Sequence, residues 1–285
     1  MKKPSIVLQT DFGLTTGFVS SMYGVIKMVD DDLYISDLNH EIRPFDMRQG
    51  AFLLADTIPY WRPGTIFVSV VDPGVGTARR ACVAKLKNGS YIVTPDNGTL
   101  TAMIDEVEAV REIDETVNRL RGSEKAGTFH GRDIFAYTAA RLASGVIDYA
   151  GVGPEYPKSE IVLFHTEKGT VAPGRADGAI AGSLKHFGGI STNITVDDFE
   201  KTGIVYGDHA RVTVEKDGHV YFGEDVLYHR SFGYVGVGEP ILYNGSTSPY
   251  IALSLNQRSF SAKYLPHIYD VGENFEDYKV TIVKL

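Results

Sequence analysis

Residues 66–77 read Ile-Phe-Val-Ser-Val-Val-Asp-Pro-Gly-Val-Gly-Thr, an almost continuous apolar run that ends in a glycine-rich loop. Such a run is typical of a strand that is buried on both faces of a parallel sheet. In open parallel sheets, ligands bind just beyond the carboxyl ends of the strands. The stretch therefore predicts an α/β fold and makes Asp72, at the end of the run, a candidate site residue.

The segments on either side repeat this alternation of strand and helix. The pattern predicts strands at 6–10, 33–36 and 66–71, and helices at 18–29, 46–60 and 133–142. Asp46 is a suitable N-cap, and Gly145 a suitable stop for the helix before it. Residues 1–155 are therefore expected to form a layered α/β domain with a mostly parallel sheet.

The pattern changes after about Pro154. Residues 156–173 contain prolines and charges with little periodicity and are expected to be a linker. Beyond them, 209–215 alternates with two valines on one face, a hairpin turn follows at Asp217-Gly218, and 220–222 returns. With further strands at 250–255 and 279–284, residues 174–285 predict a smaller all-β C-terminal domain, a sandwich or a barrel.

The composition restricts the class of function. The 285 residues are enough for two cores, and 43% hydrophobic with 22% charged residues is ordinary for a globular protein. The formal net charge is −8 and no Lys/Arg run occurs, which argues against a nucleic-acid partner. The acidic balance is compatible with a cationic small-molecule substrate, although many proteins are acidic for solubility alone.

The chain carries no recognisable targeting or disulfide pattern. Cys82 is the single cysteine and lies in an apolar stretch, so we expect a buried residue without a catalytic role. The apolar part of residues 1–9 is too short for a signal peptide, and no stretch approaches the length of a membrane span. A cytoplasmic location without a membrane partner is expected.

Polar segments at predicted strand and helix ends are the candidate site. Asp11, after the first strand, suits either a sugar diol or a turn that holds backbone N–H groups. The Asp72 loop has no Walker ending, so a purely structural loop is an equal alternative. Asn97-Gly98 is foremost a hairpin signal. His130 precedes the helix near Asp133, whose N-terminus would lower its pKa, but a lone histidine is usually structural.

Two other kinds of site are alternatives to this interpretation. Four side chains could in principle converge on a metal ion: Asp11, Asp72, Asp96 and His130. The sequence has no His-Glu-x-x-His motif and no Cys/His cluster, and neither a metal nor a cofactor is expected. The Gly-x-Ser-x-Gly elbow of serine hydrolases is also missing.

Five segments in this order resemble one family. The chain is similar to the S-adenosylmethionine hydrolases, also called hydroxide adenosyltransferases, which share a fold with bacterial fluorinase and chlorinase. The resemblance covers nearly the whole chain, because the segments span both predicted domains: Thr10-Asp11-Phe12-Gly13, 72–77 with Arg79, Pro95-Asp96-Asn97-Gly98, Phe129-His130-Gly131-Arg132-Asp133, and Phe187-Gly188 followed by Thr192-Asn193-Ile194.

The resemblance implies roles for individual residues. The water-holding triad of the family falls on Asp72, Arg79 and His130. The other positions implied to contact the substrate are Asp11 at the ribose hydroxyls, Phe45 as an aromatic wall, Asn97 near the sugar, Gly131, Phe187, and Asn256 near the adenine. The family also implies a homotrimer, in which the substrate lies between the N-terminal domain of one subunit and the C-terminal domain of the next.

The same comparison favours water over halide as the nucleophile. The fluorinase has a Tyr where this chain has Asp72, and a halide-contacting Ser where it has Gly131. A fixed carboxylate in a poorly screened site would repel a halide by several kcal/mol.

One segment departs from the family pattern. The family has an acidic residue just before Phe-Gly-Asn, and the acid and the Asn hold the methionine amino group. Here Leu184 or Lys185 replaces the acid, and Gly189 replaces the Asn. Another carboxylate, a different substrate end, or weak activity would each account for this change.

The mechanism implied is displacement by water at the ribose 5′ carbon, which gives adenosine and methionine. Either Asp72 or His130 is the proton acceptor. Two alternatives remain: a halide-dependent adenosyl transferase, and a nucleoside-binding protein with little turnover, for which Lys185 and Gly189 are the best support.

Overall fold

The computed structural model describes residues 3–125, 127–183, 185–270 and 272–285, and the chain divides into two compact units. The N-terminal unit spans Met1–His165 and the C-terminal unit spans Thr166–Leu285. The division falls inside the segment 156–173 that we expected to be a linker. Both ends of this segment are folded, since Ile161 is buried in a core of the N-terminal unit and Thr170–Ala172 forms a strand.

The N-terminal unit alternates strands and helices. Its strands are β1 (Ile6–Thr10), β2 (Ile35–Asn39), β3 (Ile66–Val70), β4 (Ala81–Leu86), β5 (Tyr91–Pro95) and β6 (Val107–Glu112). Its α-helices are α1 (Phe18–Val29), α2 (Met47–Thr57) and α3 (Tyr137–Ser144). A π-helical stretch, Gly131–Ala136, leads into α3, and short 3-10 turns lie at Ile58–Tyr60, Thr101–Glu106, Ala150–Val152 and Lys158–Glu160.

Several predicted bounds agree with these elements. β1 and α1 have the predicted limits, Asp46 accepts a hydrogen bond from the Gln49 backbone N–H as the N-cap of α2, and Gly145 ends α3 in the left-handed conformation. The helix that we expected at 133–142 begins earlier, because the π-helical stretch starts at Gly131.

The sheet is mixed, so the expectation of a mostly parallel sheet is confirmed only in part. Its order is β2-β1-β3-β5-β4-β6, with parallel pairings among the first four strands and antiparallel pairings of β4 with β5 and β6. The reason is the Asn88-Gly89 turn between β4 and β5, where the Leu86 N–H donates to the Ser90 carbonyl. A turn this tight joins only antiparallel neighbours.

The hairpin predicted from Asn97-Gly98 was wrong. These residues follow β5 and lead into the 3-10 turn Thr101–Glu106, while β6 pairs with β4 instead of β5. The turn therefore ends a strand at the edge of the sheet where the candidate site residues lie.

The sheet is covered on both faces. Side chains of β1 alternate, so that Ile6 and Leu8 pack with α1 and α3 on one face, while Val7 packs with Leu54 of α2 on the other. Burying such large apolar side chains contributes about 1.5–3 kcal/mol each. The single cysteine, Cys82, is buried in the α2 face, and burial raises its pKa to about 12.

The C-terminal unit is a barrel. Its strands are β7 (Thr170–Ala172), β8 (Arg175–Ser183), β9 (Ile190–Thr195), β10 (His209–Lys216), β11 (His219–Tyr228), β12 (Pro240–Asn244), β13 (Tyr250–Leu255) and β14 (Lys279–Lys284). In the part of the chain that the structure describes, seven strands run in the order β14-β10-β11-β12-β13-β9-β8, and the pairing of β14 with β8 closes them. Closure removes the exposed strand edges of an open sheet.

The predicted hairpin at Asp217-Gly218 joins β10 and β11. Both turn residues have positive φ, as the favoured two-residue hairpin turn requires. Val212 and Val214 are buried on one face of β10, as expected. The unit also contains two short helices, α4 (Val196–Glu200) and α5 (Phe260–Tyr264), so it is mainly rather than wholly β. None of the helices in the described ranges has the length and apolar character needed to cross a bilayer.

Candidate active site

The candidate site of the N-terminal unit lies where three parallel strands end. β1, β3 and β5 are neighbours in the sheet, so Asp11, Asp72 and Asn97 follow their carboxyl ends at one edge. The Asn97 side-chain amide donates to the Val71 carbonyl at 2.8 Å, which ties the β5 turn to the loop after β3. Asn97 thus has a structural role in this loop whatever it contacts in a ligand.

The structure brings Asp72, Arg79 and His130 together. Arg79 Nε lies 3.0 Å from each Asp72 carboxylate oxygen, and its Nη2 donates to Oδ2 at 2.5 Å. The same Nη2 lies 3.0 Å from His130 Nδ1. The Asp72 and Arg79 side chains are 5% and 10% exposed, and His130 is 6% exposed. A buried, hydrogen-bonded array of this kind holds its groups in fixed positions.

The surroundings of His130 disfavour its protonated form. Burial, followed by the adjacent Arg79 charge, lowers its pKa below the ordinary histidine value. The direction agrees with the sequence prediction, but the first causes are burial and a cation rather than the helix end. The residue lies at the start of the π-helical stretch, where the Phe129 carbonyl accepts hydrogen bonds from the Arg132 and Asp133 N–H groups.

Asp11 organises the loop that carries Phe45. Its Oδ2 accepts a hydrogen bond from the Phe45 N–H at 2.9 Å, and Phe45 has φ +67°, which is uncommon for a bulky residue. The ring is 62% exposed. Burial raises the pKa of the Asp11 carboxyl, and the Asp72 charge adds to this effect. A strained backbone position held by a candidate site carboxylate is consistent with a binding role for the exposed ring.

Gly131 lies against Phe12. A Cβ atom at position 131 would lie 3.0 and 3.1 Å from two atoms of the Phe12 ring. Phe12 in turn forms edge-to-face contacts with Phe18 and Phe129. A larger residue at 131 would therefore displace a packed aromatic cluster.

Asp96 is engaged away from the Asp72 array. Its carboxylate accepts hydrogen bonds from Arg80, the Tyr156 hydroxyl and the Val162 N–H. Asp96 therefore does not join Asp11, Asp72 and His130 in a four-residue metal arrangement. Among the residues that the structure describes, no group of three or more His, Cys, Asp or Glu side chains is arranged to hold a metal ion.

The remaining predicted site residues lie in the C-terminal unit. A cavity of about 670 Å³ is lined by residues that include His186, Phe187, Phe232, Tyr243, Asn256 and Arg258. The Phe187 ring is exposed, whereas the Asn256 amide donates to the Val235 carbonyl and so holds the wall of the cavity. Aromatic faces with a few polar groups are typical of a small-molecule site.

The segment that departs from the family pattern borders this cavity. Leu184 lies outside the described residues, and the Lys185 side chain is exposed. A Cβ atom at Gly189 would lie 2.2 Å from Ser254 Oγ, whose hydroxyl is within 3.1 Å of the Tyr243 hydroxyl. A side chain at 189 would therefore require this serine to turn away.

Sequence reasoning missed two charged residues near the Asp72 array. Arg119 Nη2 lies 3.4 Å from His130 Nε2, and Glu115 accepts a hydrogen bond from Arg119. Both residues lie in a turn region between β6 and the π-helical stretch, and no local motif distinguishes them from solvated surface charges.

Comparisons with known proteins identify the family of the chain. The family models of the SAM hydroxide adenosyltransferase N-terminal and C-terminal domains match residues 6–153 and 184–270. The chain belongs to this family. It is 41% identical over 190 residues to the (R)-S-adenosyl-L-methionine hydrolase of Salinispora tropica, covering 66% of this chain and 70% of that protein.

Two further likenesses extend the comparison. A fluorinase from an Actinoplanes species is 30% identical over 235 residues, which cover 74% of this chain and 78% of that protein. The crystal structure of an uncharacterised conserved protein from Thermotoga maritima superposes with a TM-score of 0.84 at 32% identity, and it covers 98% of this chain and 99% of that one.

Proposed function

We propose that this protein is an S-adenosyl-L-methionine hydrolase that releases adenosine and L-methionine. The observation that carries the proposal is the buried array of Asp72, Arg79 and His130 at the carboxyl end of β3. Family membership and the names of relatives such as the Salinispora tropica protein support the choice of substrate.

The leaving group of this reaction needs little assistance from the protein. A bond forms between the water oxygen and the ribose 5′ carbon, the carbon–sulfur bond breaks with its electron pair going to sulfur, and one proton is released. Because methionine leaves as a neutral thioether, no acid is needed. The protein must orient the water opposite the carbon–sulfur bond and exclude bulk solvent.

Asp72 is proposed as the group that accepts the proton of the water. Among the contacts of the described residues, Asp72 Oδ1 accepts one hydrogen bond, from Arg79 Nε, so a second lone pair is left for a water. His130 Nδ1 already accepts from Arg79, which makes that nitrogen a poorer acceptor. Arg79 fixes both partners. General-base assistance of this kind contributes about 10²–10⁴-fold.

The experiment that tests the function is chromatography of S-adenosyl-L-methionine incubated with the pure protein, with and without chloride. We expect adenosine and methionine at a rate that chloride does not change. Formation of 5′-chloroadenosine, or its consumption with methionine in the reverse reaction, would identify a halide-dependent transferase instead. Tight adenosine binding by calorimetry without any product would identify a nucleoside-binding protein.

Asp11 is proposed to bind the ribose hydroxyls with the oxygen that Phe45 does not use. In Asp11→Asn, the one carbonyl oxygen of the amide accepts the hydrogen bond from the Phe45 N–H. The amide NH₂ group then faces the ligand. We expect the KM for S-adenosyl-L-methionine to rise about tenfold or more, the worth of a hydrogen bond to a charged group, with a smaller change in kcat. Steady-state kinetics beside Asp31→Asn, an exposed carboxylate, measure this; an unchanged KM removes the assignment.

We further propose that the protein acts as a homotrimer with its sites at subunit interfaces, in the cytoplasm. Large apolar side chains such as Leu14, Phe45 and Phe187 are exposed on the single chain, as is typical of association surfaces. Light scattering coupled to size exclusion should give the mass of three 31.2-kDa chains. A monomer mass at working concentration would contradict the trimer.

The proposed cytoplasmic location is supported by the single cysteine, which is buried and free, as is usual in a reducing compartment.

A further inference from the structure

His130 lies between two guanidinium groups. Arg79 Nη2 is 3.0 Å from Nδ1, and Arg119 Nη2 is 3.4 Å from Nε2. A guanidinium only donates hydrogen bonds, and a neutral imidazole has one accepting nitrogen, whereas an imidazolium has none. The shorter distance identifies Nδ1 as the acceptor. Both arginines therefore oppose protonation of the ring, one by needing its lone pair and the other as a nearby like charge.

Arg119 does not depend on His130 for its position. Glu115 accepts a hydrogen bond from the same Arg119 Nη2, and the Arg119 side chain is 16% exposed. A mostly buried guanidinium that is hydrogen-bonded to a carboxylate is held in one location.

The backbone on both sides of Arg119 is also fixed. The buried Asn118 amide donates to the Gly151 and Val152 carbonyls, and the Leu120 N–H donates to the Asp133 carbonyl. These bonds tie the turn to the helix that carries His130 and to the segment before Gly153. Arg119 is thus placed against the imidazole by the fold of the N-terminal unit.

We propose that Arg119, held by Glu115, is a positioning residue for the hydrolysis, because its charge keeps His130 neutral and so able to accept the Arg79 N–H. This inference rests on the proposed function. A protonated His130 could not accept the Arg79 N–H, so the Asp72–Arg79–His130 array would lose one of its contacts. The rate should therefore fall on the acid side as His130 takes up a proton.

The charged groups around His130 act in opposite directions. Burial lowers its pKa, as do Arg79 and Arg119, while Glu115 and Asp72 raise it. Removing Arg119 takes away a positive charge and leaves Glu115 unpaired, and both changes raise the pKa of His130. Removing the charge of Glu115 lowers it.

The test compares two variants that should change the pKa of His130 in opposite directions. In Arg119→Met we expect the pKa of His130 to rise by about one unit, and in Glu115→Gln to fall by a similar or smaller amount, as expected for single charges close to a partly buried group. NMR titration, with the His130 signal assigned from His130→Gln, measures the pKa directly. The acid limb of the kcat/KM profile for adenosine release should move in the same directions.

Two variants serve as controls. Arg121→Met makes the same charge change at an exposed residue of the same segment and should leave the titration of His130 unchanged. Arg119→Lys keeps the charge and should restore most of the wild-type profile. Shifts of equal sign in Arg119→Met and Glu115→Gln, or no shift in either, would overturn the inference even if adenosine is formed. No adenosine from the wild-type protein would contradict the proposed function, and the NMR titration would still test Arg119.

Discussion

Asp72→Asn is expected to lower adenosine release by about 10²–10⁴-fold, the range attributed to a positioned general base. The amide keeps the size of the side chain but has no charge, and its NH₂ group faces the Arg79 guanidinium, another donor. The array would therefore lose the acceptor of the proton and the negative charge that pairs with Arg79. Single-turnover assays with S-adenosyl-L-methionine measure the chemical step apart from product release.

The corresponding alanine variant should show the same loss of activity together with a loss of stability. Removing one partner of a buried ion pair costs about 3–5 kcal/mol of unfolding free energy. Circular dichroism must show that each variant is folded, and Asp31→Asn is the control for a lost surface charge. Wild-type turnover by a folded Asp72→Asn protein would remove Asp72, and with it the array, from the mechanism.

Gly153→Ala is expected to destabilise the N-terminal unit by about 3 kcal/mol or more, from overpacking and backbone strain together. A Cβ atom there would lie 2.3 Å from the Glu112 carbonyl oxygen and 2.8 Å from the Asp114 backbone nitrogen. Neither atom can move without breaking the bonds that the Glu112 and Asp114 N–H groups donate to Pro154 and Val152. The φ of +149° adds backbone strain, which costs about 1–3 kcal/mol alone.

The measurement is urea unfolding followed by the fluorescence of Trp61, the single tryptophan, which packs on Phe67 and so reports on the N-terminal unit. Gly122→Ala is the matched control, because Gly122 also has a positive φ but would meet no atom within 4 Å. Equal losses in the two variants would show that strain, and not the contact with the Glu112 carbonyl, determines the effect at Gly153.

Local patterns predicted the elements that depend on local residues. β1, α1, β13 and β14 have the bounds expected from apolar spacing. The antiparallel direction of β4 was not predicted, because it depends on whether Asn88-Gly89 or Asn97-Gly98 forms a hairpin. Asn88-Gly89 joins adjacent strands, whereas Asn97 is bonded to Val71, a contact between distant residues that local sequence does not encode.

The prediction of the site shows the same contrast between local residues and contacts of distant residues. Residues at strand ends could be expected to share an edge of the sheet, and the family resemblance selected Asp72, Arg79 and His130 among them. Glu115 and Arg119 could not be predicted, because their position follows from bonds of Asn118 to residues 33 and 34 positions away. Ser254 lies where a side chain at position 189 would be, and this placement likewise depends on the pairing of β13 with β9.

The burial of Cys82 has a practical consequence for labelling. Its thiol is fully buried in a core of the N-terminal unit, and its high pKa leaves almost no thiolate at neutral pH, so maleimide reagents should not modify the native protein. A cysteine introduced at an exposed position such as Val146 would then be the one reactive thiol of the chain. A dye attached there permits single-molecule measurements without first removing the natural cysteine.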